Sequence, residues 1–355
     1  MDFSNVDIQT AFITALTALV LFVLKDIILS GFKNWRSDRK TAAEIYRIYA
    51  SPIAVASVSL FWRLNEIFDQ SSRSHYLTEE LRVSDFDRYK YLSTIYRFGR
   101  LLGWLNAYER ELFSRSVSSS RQAKIVDIAI SRFRENIADG AHVEALRFKS
   151  VISCLNESEL AADLDEAQLT IQIDRILQTF LAGPQATLAI DLSEKLKSKL
   201  ANEVVQTINN TSGVKFSNES LPVDAIIDAL SIREAWLYRD YQDALGDVFL
   251  KKADRERRDF EAISYREFEE IFNDQNSGSQ IWLSRFCRLF DDLEVSAANR
   301  FDARLMALEN AFYYIAELIL ALRNVRYARI SINKKTIERA KQIVSSDTWR
   351  RATSP

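Results

Sequence analysis

Histidine and cysteine are almost missing from this chain, with two of each in 355 residues. His75 and His142 lie in different segments, neither with a cysteine or second histidine at ligand spacing, so a zinc site or a histidine-based triad has little to be built from. Cys154 and Cys287 do not amount to the paired framework of a secreted domain, and their scarcity points to a reducing compartment. Each sits among apolar or helical neighbours, which suits a buried thiol better than an activated nucleophile, although Arg285 and Arg288 flank Cys287. In such a compartment the sequons at Asn156, Asn209 and Asn218 are chance matches.

Glycine and proline are also scarce, eight and four. So few turn signals argue against a strand-rich fold with many tight turns and leave long helices as the expected elements. No glycine-rich turn resembles a P-loop or a dinucleotide fingerprint. Accordingly no catalytic residue, metal ligand or cofactor is assigned from the sequence.

What the chain does have begins at its amino end. Ile8 to Leu24 runs seventeen positions without a charge, and the next sixteen carry Lys25, Lys33, Arg36, Arg39 and Lys40 against Asp26 and Asp38. At about 1.5 Å per residue the run spans roughly 26 Å, and a snorkelling Lys25 extends it toward the ~30 Å hydrocarbon core. A cleaved signal peptide wants a basic start, whereas this one begins with Asp2 and Asp7. The expectation is a retained membrane anchor with Ile8, Phe12, Leu16, Leu19, Phe22 and Leu24 in lipid; the competing reading is a buried core helix. Cations after the run place a short N-terminus outside and the body in the cytoplasm, at a bacterial inner membrane.

The body is 47% apolar by whole-chain composition, too rich for a disordered chain. Phe301, Leu305, Leu308, Phe312, Ile315, Ile319 and Leu322 lay one apolar seam along an expected helix of about 27 residues. Leu92, Ile95, Phe98, Leu101, Leu102, Leu105, Tyr108 and Leu112 form a similar face, while Leu188, Leu192, Leu196, Leu200 and Val204 repeat every fourth residue. Trp104, Trp236 and Trp282 read as core filling, not as a stacking platform for bases. The predicted fold is all-α, an N-terminal transmembrane helix followed by a large multi-helix bundle.

Pro52 is expected to break or kink a helix that begins near Asp38, with Ser71–Ser74 closing its second half before another starts near Asp85. Ser118–Ser120, Asp139-Gly140 and Gly183-Pro184 mark further helix ends. The order of parts is then an anchor at 1–32, a first body segment at 33–208, a loop at 209–222, a second segment at 223–330 and a basic tail at 331–355. The loop either divides the body or lies on the surface of one bundle.

A net charge of −2 conceals an uneven distribution: residues 323–355 carry +7, residues 25–40 carry +3, and residues 41–322 about −10. Lys33, Arg36, Arg39 and Lys40, with Lys334, Lys335 and Arg339 in the tail, are the candidate contacts to anionic lipid or a partner. The tail also suits nucleic-acid phosphates, the acidic body of another copy in a homo-oligomer, or simple solvation. Asn273, Gln275, Ser277 and Gly278 have calcium-loop offsets, but Ser284 stands where a bidentate Glu is required. Glu267, Glu270 and Asp274, with Asp291, Asp292 and Glu294, are the carboxylates that two facing helices would gather around Mg²⁺ or Mn²⁺; solvated helix faces are the commoner outcome.

Tyr49-Ala50-Ser51-Pro52, Arg63-Leu64-Asn65, Tyr89, Ser93-Thr94-Ile95-Tyr96 and Trp104, with Trp236, Arg239, Gln242–Asp247, Trp282 and Arg304-Leu305, form a loose pattern over roughly half the body. In these residues the chain resembles a widespread family of uncharacterised bacterial proteins that are single-pass, membrane-anchored and all-helical. It departs from the pattern at Ile53 and Asp247, and residues 140–222 have no counterpart in it. The resemblance implies architecture and no activity. The function expected is that of a membrane-anchored sensor or adaptor binding a protein partner at the cytoplasmic face, with anti-phage defence or an envelope response as the setting. The alternatives are an oligomeric effector that perturbs membranes, using the small residues Ala11, Thr14, Ala15 and Ala18, and a metal-dependent hydrolase using the carboxylates above.

Overall fold

A single helix, α1 (Asn5–Asp69, 65 residues), runs from the apolar amino end into the body without interruption. The computed structural model describes residues 5–69, 73–114, 123–138, 143–155, 165–182, 188–212, 216, 221–232, 237–253, 258–295, 302–324 and 330–346, with only part of the side chains before residue 41. Neither the start near Asp38 nor the break at Pro52 is found. Residues 32–44 contain no glycine or proline, and Thr41 donates to the Ser37 carbonyl at 3.1 Å, so nothing stops the helix there. Pro52 withholds the donor owed to the carbonyl of Ile48, a cost of about 3 kcal/mol. Tyr49, Ala50, Ile53 and Ala54 around it are all buried. Because each large apolar side chain buried stabilises by roughly 1.5–3 kcal/mol, packing outweighs the lost bond.

Helix α2 (Asp85–Ser114) begins where the sequence predicts. The Ser84 hydroxyl accepts from the Asp87 N–H at 3.1 Å and donates to the Asp87 carboxylate at 2.6 Å, which satisfies an orphan donor of the first turn. Its expected face is buried from Leu92 to Tyr108, with Leu112 half-buried, and it lies along α1 through Tyr49, Trp104 and Tyr108. Chain order then gives α3 (Ala123–Ala138), α4 (Val143–Cys154), α5 (Glu166–Leu181), α6 (Glu194–Ser212), α7 (Val223–Leu230) and α8 (Arg239–Val248). A short antiparallel hairpin follows, β1 (Leu250–Lys252) against β2 (Phe260–Ala262), with Lys251 opposite Glu261. The chain continues through α9 (Tyr265–Asn273), α10 (Gln280–Cys287), α11 (Ala303–Arg323) and α12 (Lys334–Ser345). The chain is therefore all-α apart from that hairpin, among the described residues.

Helix α11 carries the expected seam: Leu305, Leu308, Phe312, Ile315, Ile319 and Leu322 are all buried against α3, α1 and α12. It is 21 residues long, shorter than expected, because Asp302 caps it by accepting from the Arg304 N–H at 2.9 Å; Phe301 lies outside the described residues. Two large apolar cores result, with a small third cluster of Val143, Ile232 and Ala303. One joins α1, α2, α3 and α8–α12; the other is built by α4–α7 around Phe148, Val151, Leu169, Ile173, Leu177 and Val204. Helices α6 and α7, on either side of residues 209–222, share this second core, so no division falls at that loop. Asn209 to Ser212 are in fact the last residues of α6, and Asn209 holds Phe216 through both its amide groups, at 2.9 and 3.1 Å.

The every-fourth-residue pattern from Leu188 fails. A 3₁₀ turn at Ala189–Asp191 precedes α6, Leu196 is 41% exposed, and the buried face is Leu200, Ala201, Val204, Val205 and Ile208. A strict four-residue repeat drifts around a 3.6-residue helix, and the core selects the three-and-four alternation instead. Ser71, Ser72, Ser118–Ser120, Asp139-Gly140 and Gly183-Pro184 lie outside the described residues.

Where α2 crosses α8, backbones meet through glycine. A Cβ on Gly99 would lie 2.1 Å from the Phe249 ring, and one on Gly246 would lie 2.3 Å from the Asn106 amide and 3.1 Å from the Leu102 backbone. Phe249 is fully buried between Tyr96 and Phe268 and has nowhere to retreat. Gly99→Ala is therefore expected to destabilise the fold by about 1–3 kcal/mol, read as a lower urea midpoint with unchanged slope; an unaltered midpoint would contradict this crossing.

Candidate functional site

The feature that distinguishes this helical body from a simple bundle is a set of exposed apolar side chains on the first half of α1. Phe12, Leu16 and Phe22 are 70%, 50% and 63% exposed, and Thr14, Ala15, Thr17, Ala18 and Lys25 are exposed with them. Arg36 and Lys40 are exposed as well, and among the described side chains the first buried one is Ala42. The side chains of Ile8, Leu19, Leu24, Lys33 and Arg39 lie outside the described residues, although their backbone is helical. Among the described residues, two helical stretches are long and apolar enough to cross a membrane: the Arg36–Asp69 part of α1 and α11. Of their most apolar windows 56% and 72% is buried within the fold, so core packing accounts for that apolarity equally well. For Phe12, Leu16 and Phe22 no such account is available from the body.

The structure does not bring the two basic clusters together. Helix α12 packs on α1 and α11, with Asn333 capping its start by accepting from the Thr336 N–H at 2.7 Å. The indole of Trp62 donates to the Thr336 hydroxyl at 3.0 Å, and Lys335 sits 5.3 Å from the Trp62 ring centroid. Arg339 is spent on the body, donating to Asn65 at 2.7 Å and pairing with Asp69 at 2.9 Å. Lys334 projects outward at 90% exposure beside Glu338. The 26 residues of α1 between Arg36 and Trp62 correspond to roughly 39 Å along the axis. Residues 334–345 are thus an ordered helix bound to the body, and of the three tail cations proposed as contacts Arg339 is already engaged.

The candidate chemical groups are likewise engaged. Lys251 donates to Glu267 at 2.7 Å and holds its carboxyl at about 2, helped by Ser264, which Glu267 caps at the start of α9. Glu270 pairs with Arg266, and the Asp274 carboxylate accepts from the Asn276 N–H. In the segment resembling a calcium loop, the amide of Gln280 takes the carbonyls of Ile271, Phe272 and Asp274 at 2.8–3.0 Å. Asp291 accepts from Tyr91 at 2.5 Å and from Arg82 at 3.1 Å; Asp292 accepts from the Glu79 N–H at 2.9 Å. No group of three His, Cys, Asp or Glu is placed to hold a metal among the described residues. His75 pairs with Asp87, whose carboxyl is lowered chiefly by its bond with Ser84; His142 and Trp236 lie outside the described residues.

Several buried cations make contacts that reach across elements, which sequence spacing does not disclose. Arg134 donates to Asp243 at 2.6 Å and to Asn106, joining α3, α8 and α2. Arg304 is clamped by Asp302 and by the carbonyls of Arg288, Asp291 and Asp292. Arg63 reaches Ser93 at 2.9 Å and Glu66 at 3.3 Å, and Lys90 also bonds Glu66. Several residues that carry the family resemblance, among them Tyr49, Arg63, Asn65, Trp104, Gln242 and Arg304, are in these networks or in the core. That pattern records packing and not chemistry.

Burial pushes the Cys287 thiol up to about 12 from an ordinary value of 9.0, with Asp291 adding to the shift. Arg285 and Arg288 therefore do not activate it. The folded chain keeps this proton where an unfolded thiol releases it, so unfolding sheds a proton between about 9 and 12 and stability falls as pH rises through that window. The expected slope from this group approaches 1.4 kcal/mol per pH unit, and Cys287→Ala should flatten the fall in urea midpoint above pH 9 by that share. No protein-family model, curated protein or solved structure matches this chain.

Proposed function

We propose that this protein is a membrane-anchored helical adaptor, held at the cytoplasmic face of a bacterial inner membrane by the first half of α1. The observation that carries the reading is the continuity of α1: one helix is apolar and exposed at Phe12, Leu16 and Phe22, cationic and exposed at Lys25, Arg36 and Lys40, and packed into the core along one face from Ala42 onward. Apolar side chains left in water at that density are a liability that a bilayer removes. The cations that follow match the side on which positive residues are retained.

An adaptor also needs a face for its partner. Val83, Phe86 and Tyr89 at the start of α2 are 87%, 65% and 46% exposed, with Phe86 and Tyr89 in ring contact at 6.4 Å, the kind of patch a protein partner covers. Among the described residues no group of three His, Cys, Asp or Glu is placed to hold the metal that the hydrolase alternative needs.

The test is fractionation of the full chain. It should sediment with membranes, resist extraction by high salt and dissolve in detergent. Leu16→Arg, costing about 2.5–3.5 kcal/mol of insertion at mid-span, should move a large fraction into the soluble pool while the urea midpoint of the body stays put. In intact cells Cys154 should react with a permeant maleimide and not with an impermeant one. Recovery of the wild-type chain as a soluble species, or its release by salt alone, would overturn the proposal.

A further inference from the structure

An open groove of about 400 Å³ lies where the end of α11, the segment entering α12 and the outer face of α12 meet, within the size range of ligand sites. Lys334, Ile337, Glu338 and Lys341 are spaced along one face of α12, away from the face that buries Thr336, Ala340 and Ile343. The cations of this helix divide accordingly. Arg339 is taken by Asn65 and Asp69, and Lys335 lies over the Trp62 ring. In the groove Lys334 is paired with Glu338 at 3.6 Å, whereas Lys341 and, on α11, Arg323 make no hydrogen bond, ion pair or ring contact among the described residues. Three cations against one carboxylate leave the groove at +2, and the two unpaired side chains carry that excess.

A second observation is independent of charge. Ile330, Ile332 and Ile337 are half-buried and give the groove an aliphatic wall. Ile330, Ser331 and Ile332, which precede the Asn333 cap, have no regular secondary structure, and their N–H and C=O groups make no hydrogen bond among the described residues. A short length of chain thus offers donors and acceptors together, which another extended chain can match and a small anion cannot. Among the described residues no aromatic ring lines the groove for a base to stack on, which argues against nucleic acid. Unpaired cations, aliphatic side chains and unpaired backbone together select an acidic peptide.

We propose that this groove binds an extended acidic segment of a protein partner, whose carboxylates pair with Arg323 and Lys341, whose aliphatic side chains cover Ile330, Ile332 and Ile337, and whose backbone bonds to that of Ser331. That the occupant belongs to a protein rests on the adaptor reading, and the groove supplies the chemistry of the partner which that reading leaves open. A guanidinium holds a carboxylate through two parallel bonds, so Arg323 sets the register of the segment, while the ammonium of Lys341 accepts a wider range of positions.

The probe is a fluorescein-labelled, end-blocked peptide of about eight residues, aspartate or glutamate alternating with valine or leucine, titrated by anisotropy into the purified full chain in detergent micelles at 150 mM salt. One saturable site is expected. Arg323→Gln with Lys341→Gln should weaken binding at least tenfold, and because both side chains are exposed and unbonded the urea midpoint should not move. Lys149→Gln with Lys195→Gln removes the same charge from exposed positions on α4 and α6 and should leave binding unchanged. Changes to the peptide keep the test independent of how any variant folds. Amides in place of its carboxylates should abolish binding, serines in place of its aliphatic residues should weaken it at least fivefold, and of two peptides N-methylated on alternate residues one should bind at least tenfold more weakly than the other. Absence of a saturable site, an equal loss in the control pair, undiminished binding of the serine peptide, or equal affinity for the two methylated peptides would each overturn the proposal. Tighter binding of a single-stranded oligonucleotide of matched charge would overturn it too, by making nucleic acid the occupant. Measured in micelles, peptide affinity does not depend on a bilayer, so a chain that fails to sediment with membranes but binds the peptide loses its anchoring and keeps this site.

Discussion

Everything in this fold is hung on the burial of the second half of α1. Tyr46, Tyr49, Ile53, Leu60, Phe61, Leu64 and Ile67 are at most 1% exposed and touch the principal core on several sides. Those contacts carry the helix through Pro52 and set the position of α2, α11 and α12 around it. Phe12, Leu16 and Phe22 on the first half of the same helix are exposed, and because no break separates the halves, whatever fixes the direction of the first also fixes the direction of the second. A flexible linker would decouple the two halves; a continuous helix does not.

Around that strut, specificity comes from buried charge more than from apolar area. Arg134 and Arg304 are 1–2% exposed, and each is bonded to groups from other elements or to loop carbonyls. Such clusters add little net stability, since desolvation offsets the attraction, but removing one partner strands a buried charge at several kcal/mol. They therefore tolerate one arrangement of α2, α3 and α8, and one path into α11. The close glycine crossing of α2 and α8 sits beside the Arg134 cluster, through Asn106, so steric and electrostatic constraints fix the same junction.

The helical faces of α2 and α11 were legible in the sequence because a long amphipathic period reports directly on which side meets the core. Three features were not. Pro52 reads as a breaker locally, and only tertiary burial of its neighbours reverses that. The leucine repeat from Leu188 looks helical because four-residue spacing nearly fits one, yet only its second half lies on the buried face of α6. The carboxylates around residues 267–294 look like ligands in one dimension and turn out to be caps and ion pairs, since Lys251, Arg82 and Tyr91 arrive from elsewhere in the chain.

The separation of the two basic clusters bears on the proposed membrane anchoring. With α1 upright, Trp62 and the start of α12 stand roughly 39 Å beyond Arg36, several Debye lengths at physiological salt. Lys334 then feels almost nothing of an anionic leaflet, while Arg36 and Lys40 feel it strongly. Bringing Lys334 to the surface requires α1 to tilt steeply, and since α12 is pinned by Trp62, Asn65 and Asp69, the whole body tilts with it. Under the proposed anchoring, charge on α12 is accordingly better placed to meet a protein partner than the lipid.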